Sequence, residues 1–267
     1  MGFDFIGSSA AESPGAMNAP TQNTRARSAN STASLAPAEV PLLSCLGDSA
    51  RSRLLDQARV QRYAAGKMIF SENERPEELQ IVLTGIVDLS CRYDGREKTA
   101  LLLSAGDVLM PAAALFNEPY LVAARALTAT RMLMIGAEDI RAEAARSPVL
   151  AFEVAKVIAG QWRVALRIIL DLKCRSPSQR LAAFLLRLHD SKPAGTIAEI
   201  PFSKRQLAAR IGMQPETLSR TLQTLAANGL YLRGRQIVLT DRAKVDAFCG
   251  PDPYPAGDEH KLGVYAL

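Results

Sequence analysis

Between residue 60 and about residue 136 the apolar positions come in short runs: 68–70, 79–83, 86–89, 100–103, 108–110, 123–127 and 131–135. Gly66, Gly85, Asp94-Gly95 and Gly106-Asp107 separate them. Many short strands with turn signals every eight to twelve residues predict a β sandwich or barrel. Tyr93-Asp94-Gly95-Arg96 is the best single hairpin turn. After Ser147-Pro148, a cap and first turn, the period changes to that of a helix running from Val149 to about Lys173. Leu150, Val154, Val157, Gln161, Val164 and Ile168 form one stripe on it, and Ala151, Ala155, Ile158, Trp162, Ala165, Ile169 and Leu172 form a neighbouring one. One stripe is expected to face the β domain and the other a second copy of the helix, as in a two-stranded coiled coil. The set assigned to that dimer seam is Val154, Val157, Gln161, Val164 and Ile168.

The flanks are simpler. Residues 1–36 carry few large apolar side chains and cannot offset the entropy of ordering, so a disordered arm is expected. Residues 40–46 and 49–58 look like short helices that pack Leu42, Leu43, Leu54 and Leu55. Beyond the long helix, residues 174–176 make a hinge and 178–189 another amphipathic helix; 192–195 are a loop and 197–201 a short strand. A last small helix ends near Phe248, and residues 250–267, rich in proline and glycine, read as a loose tail.

Residues 202–228, FSKRQLAARIGMQPETLSRTLQTLAAN, have the spacing of a helix-turn-helix. Ser203 and Gln206 are a capping-box pair, Gly212 breaks the first helix, Pro215 suits the first turn of the second, and Asn228-Gly229 stops it. Leu207, Ile211, Met213, Leu218 and Leu222 are placed to pack the two helices, with small Ala208 at their crossing. Glu216, Ser219 and Arg220 fall at i, i+3 and i+4 and so share one face. A carboxylate, a hydroxyl and a guanidinium there suit base edges: Arg bidentate to guanine, Glu accepting from cytosine, Ser to either. A plain helical hairpin with a Glu216–Arg220 surface ion pair is the competing reading. The apolar-ended segment 230–239, turning at Gly234, supplies a wing and favours DNA. The candidate DNA-binding set is Ser203, Lys204, Arg205, Gln214, Glu216, Thr217, Ser219, Arg220, Arg233 and Arg235.

Charge sharpens this picture. Residues 174–247 hold 12 Lys and Arg against 5 Asp and Glu, whereas residues 1–173 hold 19 of each. The basic excess lies on the segment that phosphate binding requires. No run of 18 apolar residues and no export signal is present, so a cytoplasmic protein without membrane contact is expected. Cys45, Cys91, Cys174 and Cys249 are scattered, and His189 and His260 stand far apart, so no metal site is assigned. No nucleophile with a base, carboxylate pair or phosphate loop is visible, and no catalytic residue is assigned; the glutamates of 72–78 read as a solvated loop.

A β domain, a long helix and a winged helix with the reading face Glu-x-x-Ser-Arg resemble the CRP/FNR family of bacterial transcription regulators, most closely through QLAARIGMQPETLSRTLQTLAANGL and RGRQIVLTDRAKVDAF. The resemblance covers about residues 40–248 and implies an α+β chain in five parts: an arm (1–36), a β jelly-roll sensory domain like the cyclic-nucleotide-binding one (37–146), a dimerisation helix (147–173), a winged helix-turn-helix (174–248) and a tail (249–267). It further implies a homodimer that binds a palindromic promoter site and contacts RNA polymerase. In the cyclic-AMP receptor branch an Arg precedes the Glu and a Gly stands three after it; Pro215 and Ser219 occupy those positions here. The face looks instead like the FNR, FixK and DNR branch, whose half-sites resemble TTGAT.

The effector is left open. In the family a Gly-Glu pair and an Arg-Ser or Arg-Thr pair hold the cyclic phosphate; here Ala113-Ala114 and Tyr120-Leu121 stand in their place. A phosphate buried without a cation is costly, which disfavours cyclic AMP. With Cys45 alone near the N-terminus an iron–sulfur cluster is not supported. Haem stays an option, with Met110 or Cys91 as the ligands available. Met110 and Arg125 are the candidate effector-pocket residues. A ligand-free regulator, or one switched through Cys174 or Cys249, also stays open. The runner-up class is a haem, nitrogen-oxide or cyclic-nucleotide binding module that uses its winged helix for protein contacts.

Overall fold

The computed structural model describes residues 35–190, 197–200 and 203–250. The expected arm, the loop 192–195 and the tail fall outside these residues, apart from 35–36 and 249–250. A single-turn 3-10 helix at Pro41–Leu43 replaces the longer helix expected over 40–46, but Leu42 and Leu43 are buried as expected. Helix α1 (Asp48–Gln57) follows and buries Leu54 and Leu55.

Strands β1 (Arg59–Tyr63), β2 (Met68–Phe70), β3 (Glu78–Thr84), β4 (Val87–Tyr93), β5 (Arg96–Leu103), β6 (Val108–Leu109), β7 (Ala123–Ala126) and β8 (Thr130–Gly136) build the β domain. They form two antiparallel four-stranded sheets, in the orders β1-β8-β3-β6 and β2-β7-β4-β5. Because strand side chains alternate between faces, β3 serves two cores. Val82 joins Val87, Leu89, Leu103, Ala124 and Met132 between the sheets. Leu79, Ile81 and Leu83 point the other way, to a core shared with Leu43, Leu54, Ile140, Leu150, Val154 and Val157.

Three elements were not legible as such in the sequence. Strand β1 is polar, RVQRY, and only half-buried, so it shows no apolar run. Helix α2 (Pro111–Phe116) is too short for a period, and helix α3 (Ala137–Arg146) carries five charged residues in ten. The long helix α4 (Pro148–Cys174) is capped by Ser147, whose side chain accepts from the Leu150 N–H.

The C-terminal region comprises α5 (Pro177–Asp190), α6 (Lys204–Ile211), α7 (Pro215–Ala227), the hairpin β9 (Leu230–Arg233) and β10 (Gln236–Leu239), and α8 (Arg242–Cys249). Its core gathers Leu181, Leu185, Leu207, Leu218, Leu225, Leu230, Ile237 and Val245. One residue of that cluster comes from the β domain: Leu102 of β5, which is 1% exposed. The two regions are thus packed together through the outer face of β5.

Candidate nucleic-acid interface

Helix α6 begins with the full capping box: Gln206 N–H donates to Ser203 Oγ at 3.3 Å and Ser203 N–H to Gln206 Oε1 at 2.8 Å. It ends at Gly212, in the left-handed region at φ 75°, whose N–H returns to the Ala209 carbonyl. Proline at the first position of α7 forfeits no helical hydrogen bond. Leu207, Ala208, Ile211 and Leu218 are buried between these helices, with Met213 and Leu222 half-buried beside them. The start of the wing is fixed by Gly229 at φ 88°, where a Cβ would sit 2.7 Å from the Asp241 Cβ. Hydrogen bonds from Ile200 N–H to the Arg235 carbonyl and from Arg235 Nε to the Ile200 carbonyl, both 2.8 Å, tie the hairpin to the preceding strand segment.

On α7, Glu216, Thr217, Ser219 and Arg220 are exposed along one side, with Gln214 exposed at its N-cap. Glu216 and Arg220 form no ion pair among the described residues, so the competing reading loses its expected feature. Ser219 Oγ donates to the Pro215 carbonyl at 3.3 Å, which leaves its lone pairs outward. Lys204 and Arg205 are exposed at the start of α6, and Arg233 and Arg235 on the hairpin. The ten candidate residues therefore lie on one helix-turn-helix and its wing. Ser203, Lys204 and Arg235 also line a cleft of about 440 Å³ whose far wall is Leu127 and Thr128 of the β domain.

The dimer seam needs correction. Val154 and Val157 are each 4% exposed against the β domain, and Gln161 Nε2 donates to the Val108 carbonyl at 2.7 Å. Val164 and Ile168 are half-buried on the same side. This stripe is spent on the chain's own core because α4 lies along the sheet containing β3 and β8. The neighbouring stripe is the open one: Trp162, Ile169 and Leu172 are 63%, 43% and 52% exposed, with Phe152 and Leu166 also solvent-facing.

The two proposed effector residues are not brought together either. Met110 packs half-buried into the core between the sheets, with φ 38° at the entry to α2. Arg125 points from the opposite face of β7, donating to the Gly66 carbonyl at 2.9 Å and lying 3.6 Å from Glu97. Alternation along β7 separates them. Tyr120 is buried and stacks on Phe70, with ring centroids 3.7 Å apart and planes at 13°. Burial pushes its phenol up from the usual tyrosine range, with Glu74 and Glu78 adding to the effect. Ala113 and Ala114 are buried on α2. Among the described residues no group of three His, Cys, Asp or Glu is placed to hold a metal.

Sequence reasoning missed the charged cluster where α4, α5 and α6 meet. Asp171 accepts from Arg175 Nη1 and from Arg187 Nη2 at 2.8 Å, while Arg180 donates to the Ile211 and Arg175 carbonyls. It also missed Asp88, buried in an apolar strand, although the lone carboxylate in Ile86-Val87-Asp88-Leu89 was a visible signal.

Comparison with known proteins follows the same division. The profile of the Crp-like helix-turn-helix domain matches residues 179–248 and that of the cyclic nucleotide-binding domain residues 60–147. The chain is 30% identical over 173 residues to the cyclic AMP receptor protein of Thermus thermophilus, covering 64% of this chain and 79% of that protein. It is 25% identical over 190 residues to the nitrogen fixation regulation protein FixK of Azorhizobium caulinodans, covering 68% and 75%. Among solved structures, FixK2 of Bradyrhizobium japonicum superposes with a TM-score of 0.65 at 26% identity, covering 73% of this chain and 98% of that one. CooA of Carboxydothermus hydrogenoformans shares the fold, with a TM-score of 0.67 at 21% identity over 79% and 95%.

Proposed function

The chain belongs to the CRP/FNR family of transcription regulators, and on that footing we propose that it acts as a homodimer reading a palindromic promoter site of the TTGAT type. It is a DNA-binding regulator with a cyclic-nucleotide-binding type of domain and a Crp-like helix-turn-helix. No helix among the described residues is long and apolar enough to cross a membrane.

The observation that carries the proposal is the exposed face of Glu216, Ser219 and Arg220 on α7, preceded by Pro215. Arg220 serves a guanine and Glu216 a cytosine amine, while Pro215 removes a cation that would read a further guanine. Lys204, Arg205, Arg233 and Arg235 supply phosphate contacts. The two copies associate through the open stripe of α4 that includes Trp162, Ile169 and Leu172, which sets the reading helices about one turn of DNA apart. RNA polymerase is the partner that the family role requires.

For the sensor, the reading is an effector other than a cyclic nucleotide. The Thermus relative is a cyclic AMP receptor by name, but in this chain Tyr120, which stands where the family's Arg-Ser or Arg-Thr pair would be, is stacked on Phe70 and packed into an apolar cluster. Haem ligation would fall to Met110 or Cys91, and visible absorption of the protein with and without added haem tests it. The DNA reading is tested by electrophoretic mobility shift on a duplex with two TTGAT-type half-sites against a scrambled duplex across a salt series. A preference that survives rising salt is expected; equal binding to both duplexes refutes it.

A further inference from the structure

Asp88 lies on the face of β4 turned away from the core between the sheets, since Val87 and Leu89 on either side fill that core. Its partners in register are Leu102 on β5 and Arg125 on β7. Leu102 is buried in the core of the C-terminal region. The cover over this face is therefore the DNA-reading region itself. Helix α6 lays Arg210 here, with Nη1 donating to the Ala100 carbonyl at 3.3 Å and the guanidinium 5.8 Å over the Phe184 ring. The groups acting on Asp88 are Thr99 and Glu97 from β5, Arg125 from β7 and Arg210 from α6.

The same docking places Ser203, Lys204 and Arg235, still solvent-exposed, along one wall of a cleft of about 440 Å³ whose other wall is Leu127 and Thr128. That volume suits a small molecule, not a duplex whose major groove alone is about 12 Å wide. Glu216, Ser219 and Arg220 stay open meanwhile, as do Arg205 and Arg233, so the base-reading face is available while two of the four backbone cations, Lys204 and Arg235, face the β domain across the cleft.

We propose that this contact is a proton-linked dock: with the Asp88 carboxyl neutral, the reading region is held on the sensory sheet and the backbone contacts of Lys204 and Arg235 are walled off from a duplex, and ionisation of Asp88 loosens it and frees them. Burial, the largest effect on this group, pushes Asp88 up to about 6; the Thr99 hydrogen bond pulls it down, Glu97 raises it, and Arg125 and Arg210 lower it by less. Desolvation likewise brings Arg210 down to about 10, with Arg187 adding to the effect, so both charges are disfavoured in the docked arrangement. Undocking rehydrates the face and returns Asp88 toward its ordinary 3.8. The docked state binds the proton more tightly, so docking is strongest below that ordinary value and is lost as pH rises through about 6. From pH 7.5 down to pH 5 it strengthens by about tenfold. The effect on DNA rests on the assignment of Lys204 and Arg235 as backbone contacts.

The test pairs hydrogen exchange with DNA binding on the full chain at pH 5 and pH 7.5. Amides of residues 98–103 and 204–211, corrected for the intrinsic pH dependence of exchange, are expected to be more protected at pH 5 in the wild type. Asp88→Asn is expected to be protected at both values and Leu102→Gln at neither, with β3 and β8 protected in all three as the control for folding. Fluorescence anisotropy with the TTGAT-type duplex is expected to show about tenfold weaker wild-type binding at pH 5. Asp88→Asn should bind weakly at both values and Leu102→Gln tightly at both. Protection that does not change with pH, or an Asp88→Asn variant that keeps the wild-type response, overturns the dock. If protection follows pH as expected but no variant prefers the duplex to scrambled DNA, the dock stands and the DNA reading fails.

Discussion

Replacing Trp162 by alanine separates the two stripes of α4 by experiment. A tryptophan side chain buries about 250 Å² at most, and Trp162 is 63% exposed in the single chain, which leaves about 160 Å² open. If a partner helix covers half of this, about 80 Å² at about 25 cal/mol per Å² gives about 2 kcal/mol per copy. A symmetric dimer loses it twice, about 4 kcal/mol in all, or about three orders of magnitude in the dissociation constant. Sedimentation velocity over a dilution series measures this directly. The companion variant is Val154→Ala, on the stripe that faces the β domain. It removes two buried carbons and leaves a small cavity, so it is expected to lower unfolding stability by about 2 kcal/mol in urea titrations while the dimer constant stays put. A Trp162→Ala shift below about tenfold, or a large shift for Val154→Ala, would refute the assignment of the faces.

Three further substitutions test other parts of the argument. Arg220→Ala is expected to cost roughly 1 to 3 kcal/mol of specific binding in mobility shifts and to relax preference at one base pair of the half-site; unchanged affinity and preference would remove Arg220 from the reading face. Ser203→Ala deletes one half of the capping box and is expected to lower stability by about 1 kcal/mol in thermal unfolding. Tyr120→Ala empties the ring stacked on Phe70 and is expected to cost about 3 to 5 kcal/mol in urea unfolding; a loss under 1 kcal/mol would show that the ring is not packed core.

Where the chain's local chemistry is strong, the sequence was sufficient. The capping box at Ser203, the break at Gly212 and the turn at Gly234 each depend on a few neighbouring residues, and each appears in the structure as read. Apolar runs marked seven of the eight β-domain strands for the same reason. Polar β1 was invisible because its place is set by pairing with β8, a partner about seventy residues away. The choice of stripe on α4 failed for a related reason. Both stripes are apolar with the same period, and only the sheet lying under Val154 and Val157 decides which one stays open. Met110 and Arg125 were assigned to an effector pocket from the segment that stands where the family's pocket would be, and strand alternation put them on opposite faces. Asp88 was readable as an anomaly, but Arg210, which lies over the same face, is more than a hundred residues away on a helix of the other region.

Trp162 is the only tryptophan in the chain. All of the indole emission therefore originates from a single point midway along α4, and the sensory strands and the winged helix contribute none. The colour of that light reports the polarity around one side chain. A blue shift on concentrating the protein marks association of the helices, and folding of either flanking region passes without an indole signal of its own.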